Sequence, residues 1–229
     1  MVHRITPSPA PTHPEVRAYM FGMDGASLTP EPSWELRWFV DGEPPAPLFA
    51  SFQRSPEATD AEDRVDRYLR LGEGGQLVGI KIREGRFELK GRHAEICPVE
   101  ILPTVHGRLE HWTKWSVEAA GGLAAFPETA WVPVRKRRST RLWSLDGSGR
   151  ATPVDQGDRT RLAQGALAEL TRLELGGRQA WTFAVEAFPA AEVAAAGALE
   201  VARQMLRGTP IALSLAQAAS YPSWLARRG

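Results

Sequence analysis

Thiol chemistry is almost absent from this chain. Its 229 residues include one cysteine, Cys97. An intramolecular disulfide is impossible, and the cysteine-rich zinc motifs are excluded. Cys97 precedes Pro98 without an activating partner beside it, which argues against a nucleophile. Long apolar runs are missing as well: nothing approaches the roughly 18 residues of a membrane span. Met1–Pro14 carries no apolar signal region. The expected location is therefore the cytoplasm, with no membrane partner. Net charge is also lacking. The 28 basic and 27 acidic residues leave +1, so no global field recruits nucleic acid or an anionic surface. What the chain does hold is 43% hydrophobic residues, enough for a core and too many for intrinsic disorder.

Six prolines punctuate Met1–Pro32, and residues 1–32 read as a flexible Pro-rich segment. Residues 33–229 read as a single domain, since no repeat or linker interrupts them. Trp34–Val40 alternates polar and apolar residues, as a strand does. Ser55–Asp66 is polar and reads as a short turn or helix. Further strands are expected at Asp66–Leu71, Val78–Glu84, Phe87–Arg92, Trp112–Glu118 and Trp131–Arg138, then at Thr140–Leu145, Gly165–Glu174 and Gln179–Ala187. Glu84-Gly85-Arg86 and Gly176-Gly177 suit tight hairpins. Ala190–Leu206 is Ala-rich, follows Pro189 and precedes Gly208, so it reads as a helix. A second helix is expected within Ile211–Arg227, before Ser220-Tyr221-Pro222. Many antiparallel strands followed by helices predict an α+β fold with a closed or strongly curved sheet.

The informative pattern is charge on alternate strand positions. Lys81 and Arg83 share one face; so do Glu88, Lys90 and Arg92; so do Lys136 and Arg138. Residues 66–92 hold seven basic and four acidic side chains, and residues 134–142 hold five basic and none acidic. Like charges on neighbouring strands repel unless acids or a bound anion compensate them. A barrel turned inside out solves this, with charges lining the lumen and apolar residues facing outer helices. Glu35, Glu169 and Glu186 supply carboxylates on other strands. Such acids can hold a hard divalent cation, and bases opposite them match a metal-bridged polyphosphate.

These segments resemble a known family. Asp66–Arg70, Val78–Gly85, Glu88–Lys90, Lys136–Arg138, Glu169–Thr171 and Val185–Phe188 look like the CYTH, or triphosphate tunnel metalloenzyme, superfamily. The resemblance implies an eight-stranded antiparallel β-tunnel with flanking and C-terminal helices. It implies Arg37, Lys81, Arg83, Lys90, Arg92, Lys136 and Arg138 as phosphate ligands, and Glu35, Glu169 and Glu186 as ligands of Mg²⁺ or Mn²⁺, with Glu88 a further tunnel acid. Glu186, Lys81 and Arg83 would carry the hydrolysis of a triphosphate or polyphosphate. The family's opening Glu-x-Glu-x-Lys reads here as Ser33-Trp34-Glu35-Leu36-Arg37, and the closing strand has Ala184 before Glu186. With two acids gone, the alternative is a tunnel that binds a phosphorylated or other anionic ligand without turnover.

Other motifs carry less. His106 and His111 are poorly spaced for a helical metal pair. Arg135-Lys136-Arg137-Arg138 is a basic run, but alternation splits it between two faces and no nucleic-acid motif accompanies it.

Overall fold

The computed structural model describes residues 29–53, 62–71, 76–118 and 127–228. Most of the expected N-terminal segment, and the first part of Ser55–Asp66, lie outside the described residues. Among the described residues, nine strands form one antiparallel sheet: β1 (Glu31–Asp41), β2 (Glu62–Leu69), β3 (Val78–Arg83), β4 (Arg86–Leu102), β5 (Val105–Glu118), β6 (Trp131–Leu145), β7 (Ala151–Val154), β8 (Gly165–Leu175) and β9 (Arg178–Phe188). Their order is β2-β3-β4-β5-β1-β9-β8-β6-β7, and β2 also pairs with β6. That last ladder closes eight strands into a barrel and leaves β7 as a flap on β6. Of the two expected forms, a closed or a strongly curved sheet, the closed one is found.

Local chemistry accounts for the tight hairpins. Glu84 and Gly85 both adopt positive φ between β3 and β4, and Gly176 and Gly177 do so between β8 and β9. Two-residue turns of this kind match the right-handed twist of their strands. Several boundaries differ from expectation. The strand begun at Phe87 does not stop at Arg92 but runs to Leu102, pairing with β5 through three register shifts. Thr140–Leu145 is not a separate strand; it is the end of β6, paired with β7 across the turn at Asp146. A short helix, α1 (Ala46–Gln53), was not foreseen, because a segment of two turns carries too little periodicity.

Side-chain parity decides where the core lies. On β1, Leu36 and Trp38 face outward, whereas Glu35, Arg37 and Phe39 face the lumen. The larger core therefore sits outside the barrel. Helix α2 (Glu192–Leu206) lays Ala194, Ala198, Val201, Ala202 and Met205 on the outward residues of β1, β8 and β9. Those positions recur at helical spacing on one face. Leu48 and Phe52 of α1 complete this layer. Each fully buried Val, Leu, Phe or Met here contributes roughly 1.5–3 kcal/mol, and each alanine less. The lumen is thereby released from providing the main core and can hold charge.

The C-terminal segment enters the barrel at one end. The β1–β5 ladder stops at Leu36–Leu109, and residues 213–219 enter the gap. They bridge Val105 with Leu213 and Trp38 with Ala218. The chain then turns into α3 (Tyr221–Ala226), whose Ser220 cap accepts the Ser223 amide. The expected second helix is therefore this short one, beginning at Tyr221 and not ending before it. Trp224 and Leu225 pack there with Phe39, Val134, Leu173 and Ala180. No helix among the described residues is long and apolar enough to cross a membrane.

Candidate functional site

The rest of the lumen is a charged chamber of about 690 Å³. Among the described residues, nine basic and six acidic side chains line it. Six of the seven expected phosphate ligands are there: Arg37, Lys81, Arg83, Lys90, Lys136 and Arg138. Glu35, Glu88, Glu169 and Glu186 are there too. Arg92 is not. It lies farther along β4, held by Glu95 at 2.6 Å and Glu110 at 2.5 Å, and faces a neighbouring cavity.

Besides the Lys114–Glu31 pair at 2.8 Å, most of the charges form three groups. The first surrounds Asp66, which is 0% exposed. Lys136 Nζ donates to its Oδ2 at 2.7 Å, Lys81 Nζ to the same oxygen at 3.2 Å, and Arg64 Nε lies 3.1 Å from Oδ1. Burial opposes ionisation of Asp66, but these three cations outweigh it and hold the carboxyl well below its ordinary range. Burial also pushes the Lys136 ammonium down, with Asp66 opposing that push. At 2.7 Å from an ionised carboxylate, Lys136 is an ammonium. The Tyr68 hydroxyl, 2.6 Å away, and the Tyr221 ring, 3.7 Å away, solvate it further. Lys81 and Arg83 extend the group to Glu88 at 3.0 and 3.5 Å.

The second group centres on Glu169. Arg37 donates to its Oε1 at 3.0 Å, Arg138 to its Oε2 at 3.2 Å, and Thr171 to Oε1 at 3.0 Å. Burial works against the Glu169 charge, but Arg37, Arg138 and Lys136 overcome it and keep the carboxyl far below its ordinary value. In the third group, Lys90 joins two acids. Its ammonium donates to Glu35 Oε1 and lies 3.8 Å from Glu186 Oε2. Burial would lower the Lys90 pKa, yet Glu35 and Glu186 raise it above the ordinary lysine value.

Register explains the third group. Glu186 is the cross-strand partner of Glu35, Glu35 of Glu110, and Glu110 of Glu95. Four carboxylates thus follow one another across β9, β1, β5 and β4. Neighbours in such a row repel at Cα separations of roughly 5 Å. Lys90 and Arg92 offset this by lying between pairs of them. Burial raises the Glu110 pKa, with Trp112 and Arg92 opposing that rise.

This arrangement bears on the expected metal. A hard divalent cation needs several oxygens at roughly 2.1 Å. Both oxygens of Glu169 accept from arginines, and the Lys90 ammonium sits between Glu35 and Glu186. Ser33 and Ala184, beside Glu35 and Glu186 on the same strand faces, offer no carboxylate. Among the described residues, no three His, Cys, Asp or Glu side chains are grouped to hold a metal ion. The residues as arranged do not fit Mg²⁺ or Mn²⁺.

Sequence reasoning missed Arg64, Glu110, Lys114 and Arg159 in the lining. Arg64-x-Asp66-x-Tyr68 and Trp112-x-Lys114 show the same alternation as the strands it found, so those were legible. Tyr221 carries no such signal, because it reaches the lumen from a helix. His93 and His111 lie on the outer side of β4 and β5, where His111 stacks on Trp34 at 5.0 Å and His93 contacts Thr113 at 2.8 Å. Arg135 sits on the exterior, paired with Asp63 at 3.0 Å.

The fold and site together define a class: a closed antiparallel barrel with an ion-paired, cation-rich interior. No family model matches the chain, and no curated protein matches it.

Proposed function

We propose that the protein is a divergent CYTH-like tunnel that binds an oligophosphate, such as tripolyphosphate or a phosphorylated small molecule, through side-chain cations alone. The observation that carries this reading is the excess of basic over acidic groups around one chamber inside a closed barrel. The cations converge from several strands: Arg37 from β1, Lys81 from β3, and Lys136 and Arg138 from β6. Guanidinium and ammonium groups arranged around a chain of phosphates can engage each unit with charge-assisted hydrogen bonds. Glu88, Glu169 and Asp66 act as internal counter-ions that keep the empty chamber from repelling itself. An entering phosphate chain displaces them from Arg37, Arg138, Lys81 and Arg83. Catalytic roles for Glu186, Lys81 and Arg83 need a metal that this carboxylate set does not fit, so no hydrolytic step is derived.

The test is calorimetric titration of tripolyphosphate in the presence of EDTA, beside phosphate release with and without Mg²⁺ or Mn²⁺. Binding without metal is expected, and it should weaken as salt rises. Lys81→Ala/Arg83→Ala should weaken it at least tenfold, since a hydrogen bond to a charged group is worth about 1.5–3 kcal/mol. Absence of binding, or metal-dependent release of phosphate, would overturn the proposal in favour of no anion site or of a hydrolase.

A further inference from the structure

The lumen does not end at α3. A second cavity of about 660 Å³ lies beside the first, and Ser220, Pro222 and Glu110 belong to the walls of both. Arg70, Arg92, Arg108 and Arg227 line this second space. Cationic groups thus recur, with Arg92 and Arg108 paired to Glu95 and Glu110, beyond a wall to which Ser220 and Pro222 of the C-terminal segment and Glu110 of β5 contribute.

That barrier is built into the fold. Pro222 is wedged against Gly79 of β3, where a Cβ would lie 3.0 Å from Pro222 Cγ; the missing side chain makes the room. Tyr221 lines the first chamber only. Its ring stacks on Tyr68 with centroids 5.0 Å apart and meets the edge of Phe39 at 4.9 Å. The ring also faces Lys136, with Arg37 Cζ at 4.9 Å. Its hydroxyl oxygen is buried and has no hydrogen-bond partner among the described residues. A buried hydroxyl without a partner is costly unless something else satisfies it. Burial keeps this phenol far above its ordinary pKa, so it remains a donor.

We infer that Ser220-Tyr221-Pro222 is a partition that sets ligand length: Tyr221 donates its hydroxyl to the leading phosphate and stops a longer chain from reaching the second cavity. This rests on the oligophosphate reading above. Pyrophosphate and tripolyphosphate end short of the partition or against it. A long polyphosphate inserts one end, and the remainder stays outside the mouth. Without the Tyr221 ring, a long chain threads through to Arg92 and Arg108.

The experiment measures affinities of pyrophosphate, tripolyphosphate and long-chain polyphosphate for wild type, Tyr221→Phe and Tyr221→Ala. Tyr221→Phe keeps the ring packing, so its melting temperature without ligand should match wild type. Its tripolyphosphate affinity should fall at least tenfold, as loss of a hydrogen bond to a charged phosphate implies. Tyr221→Ala should raise long-chain affinity relative to tripolyphosphate at least tenfold. If wild type binds phosphates but Tyr221→Phe matches it for tripolyphosphate, the partition role is overturned whether or not the alanine variant folds. An unchanged length profile in a folded Tyr221→Ala overturns it equally. If wild type binds none of the three, the oligophosphate reading falls and takes this inference with it.

Discussion

Glu169→Gln should destabilise the protein and at the same time tighten its hold on an anion. Glu169 is the shared acceptor of Arg37 and Arg138, and the side chains are 13%, 13% and 23% exposed. Removing one partner of a fully buried pair costs about 3–5 kcal/mol. The chamber gives these groups some access to water, so about 2–3 kcal/mol is the appropriate figure here. For a chain of this size, that lowers the melting temperature by about 4–12 °C. Glutamine preserves the shape and can still accept from Thr171, so the loss reports charge. The same substitution leaves both guanidiniums without an internal competitor. Removing one negative charge some 6 Å from a bound phosphate is worth about 2–3 kcal/mol at an effective dielectric near 20, and roughly half that in physiological salt. Tripolyphosphate should then bind about tenfold tighter. Ligand at 100 times its dissociation constant adds about 2.7 kcal/mol, enough to restore most of the lost stability. The assay is thermal unfolding with and without tripolyphosphate, joined to calorimetric titration. An unchanged melting temperature, or weaker binding by the variant, would refute the idea that Glu169 is a counter-ion exchanged for ligand.

Acid should unfold the protein through the same groups. Asp66, Glu88 and Glu169 have folded pKa values below their ordinary ones, so their ion pairs stabilise the fold above about pH 4. That stability is lost as pH falls through the depressed values. Melting temperature should drop steeply below about pH 4, and Glu169→Gln should give a shallower acid limb. Lys90 has the opposite sign: its contribution is complete below the ordinary lysine value and is lost only as pH rises through the raised one. Gly107→Ala should be destabilising by about 2–3 kcal/mol, measured by urea denaturation, because overpacking a tight core typically costs 1–3 kcal/mol. The new Cβ would lie 2.4 Å from Trp38 Cζ2, and that indole is fixed by its bond to the His106 carbonyl at 2.8 Å.

The sequence by itself determined the kind of wall this protein has. Period-two alternation separates Lys81, Arg83, Lys136 and Arg138 from the apolar residues between them, because successive strand side chains point to opposite faces. Two glycine-bearing turns marked hairpins, because left-handed backbone needs residues that tolerate it. Alternation also assigned Glu35, Glu169 and Glu186 to strand faces. It could not say what each would touch. That Glu35 meets Lys90, that Glu169 meets two arginines, and that four glutamates follow one another across the sheet are consequences of register. Register is fixed by nonlocal ladders between strands far apart in the chain. Arg92 keeps the face of Lys90 but lies two residues farther along β4, where Glu95 and Glu110 hold it beside the neighbouring cavity. Tyr221 lay furthest beyond reading. It enters the lumen only because residues 213–219 fill a gap where β1 and β5 part. Local chemistry therefore decided which residues could face inward, and tertiary pairing decided which charges are neutralised and where the chamber ends.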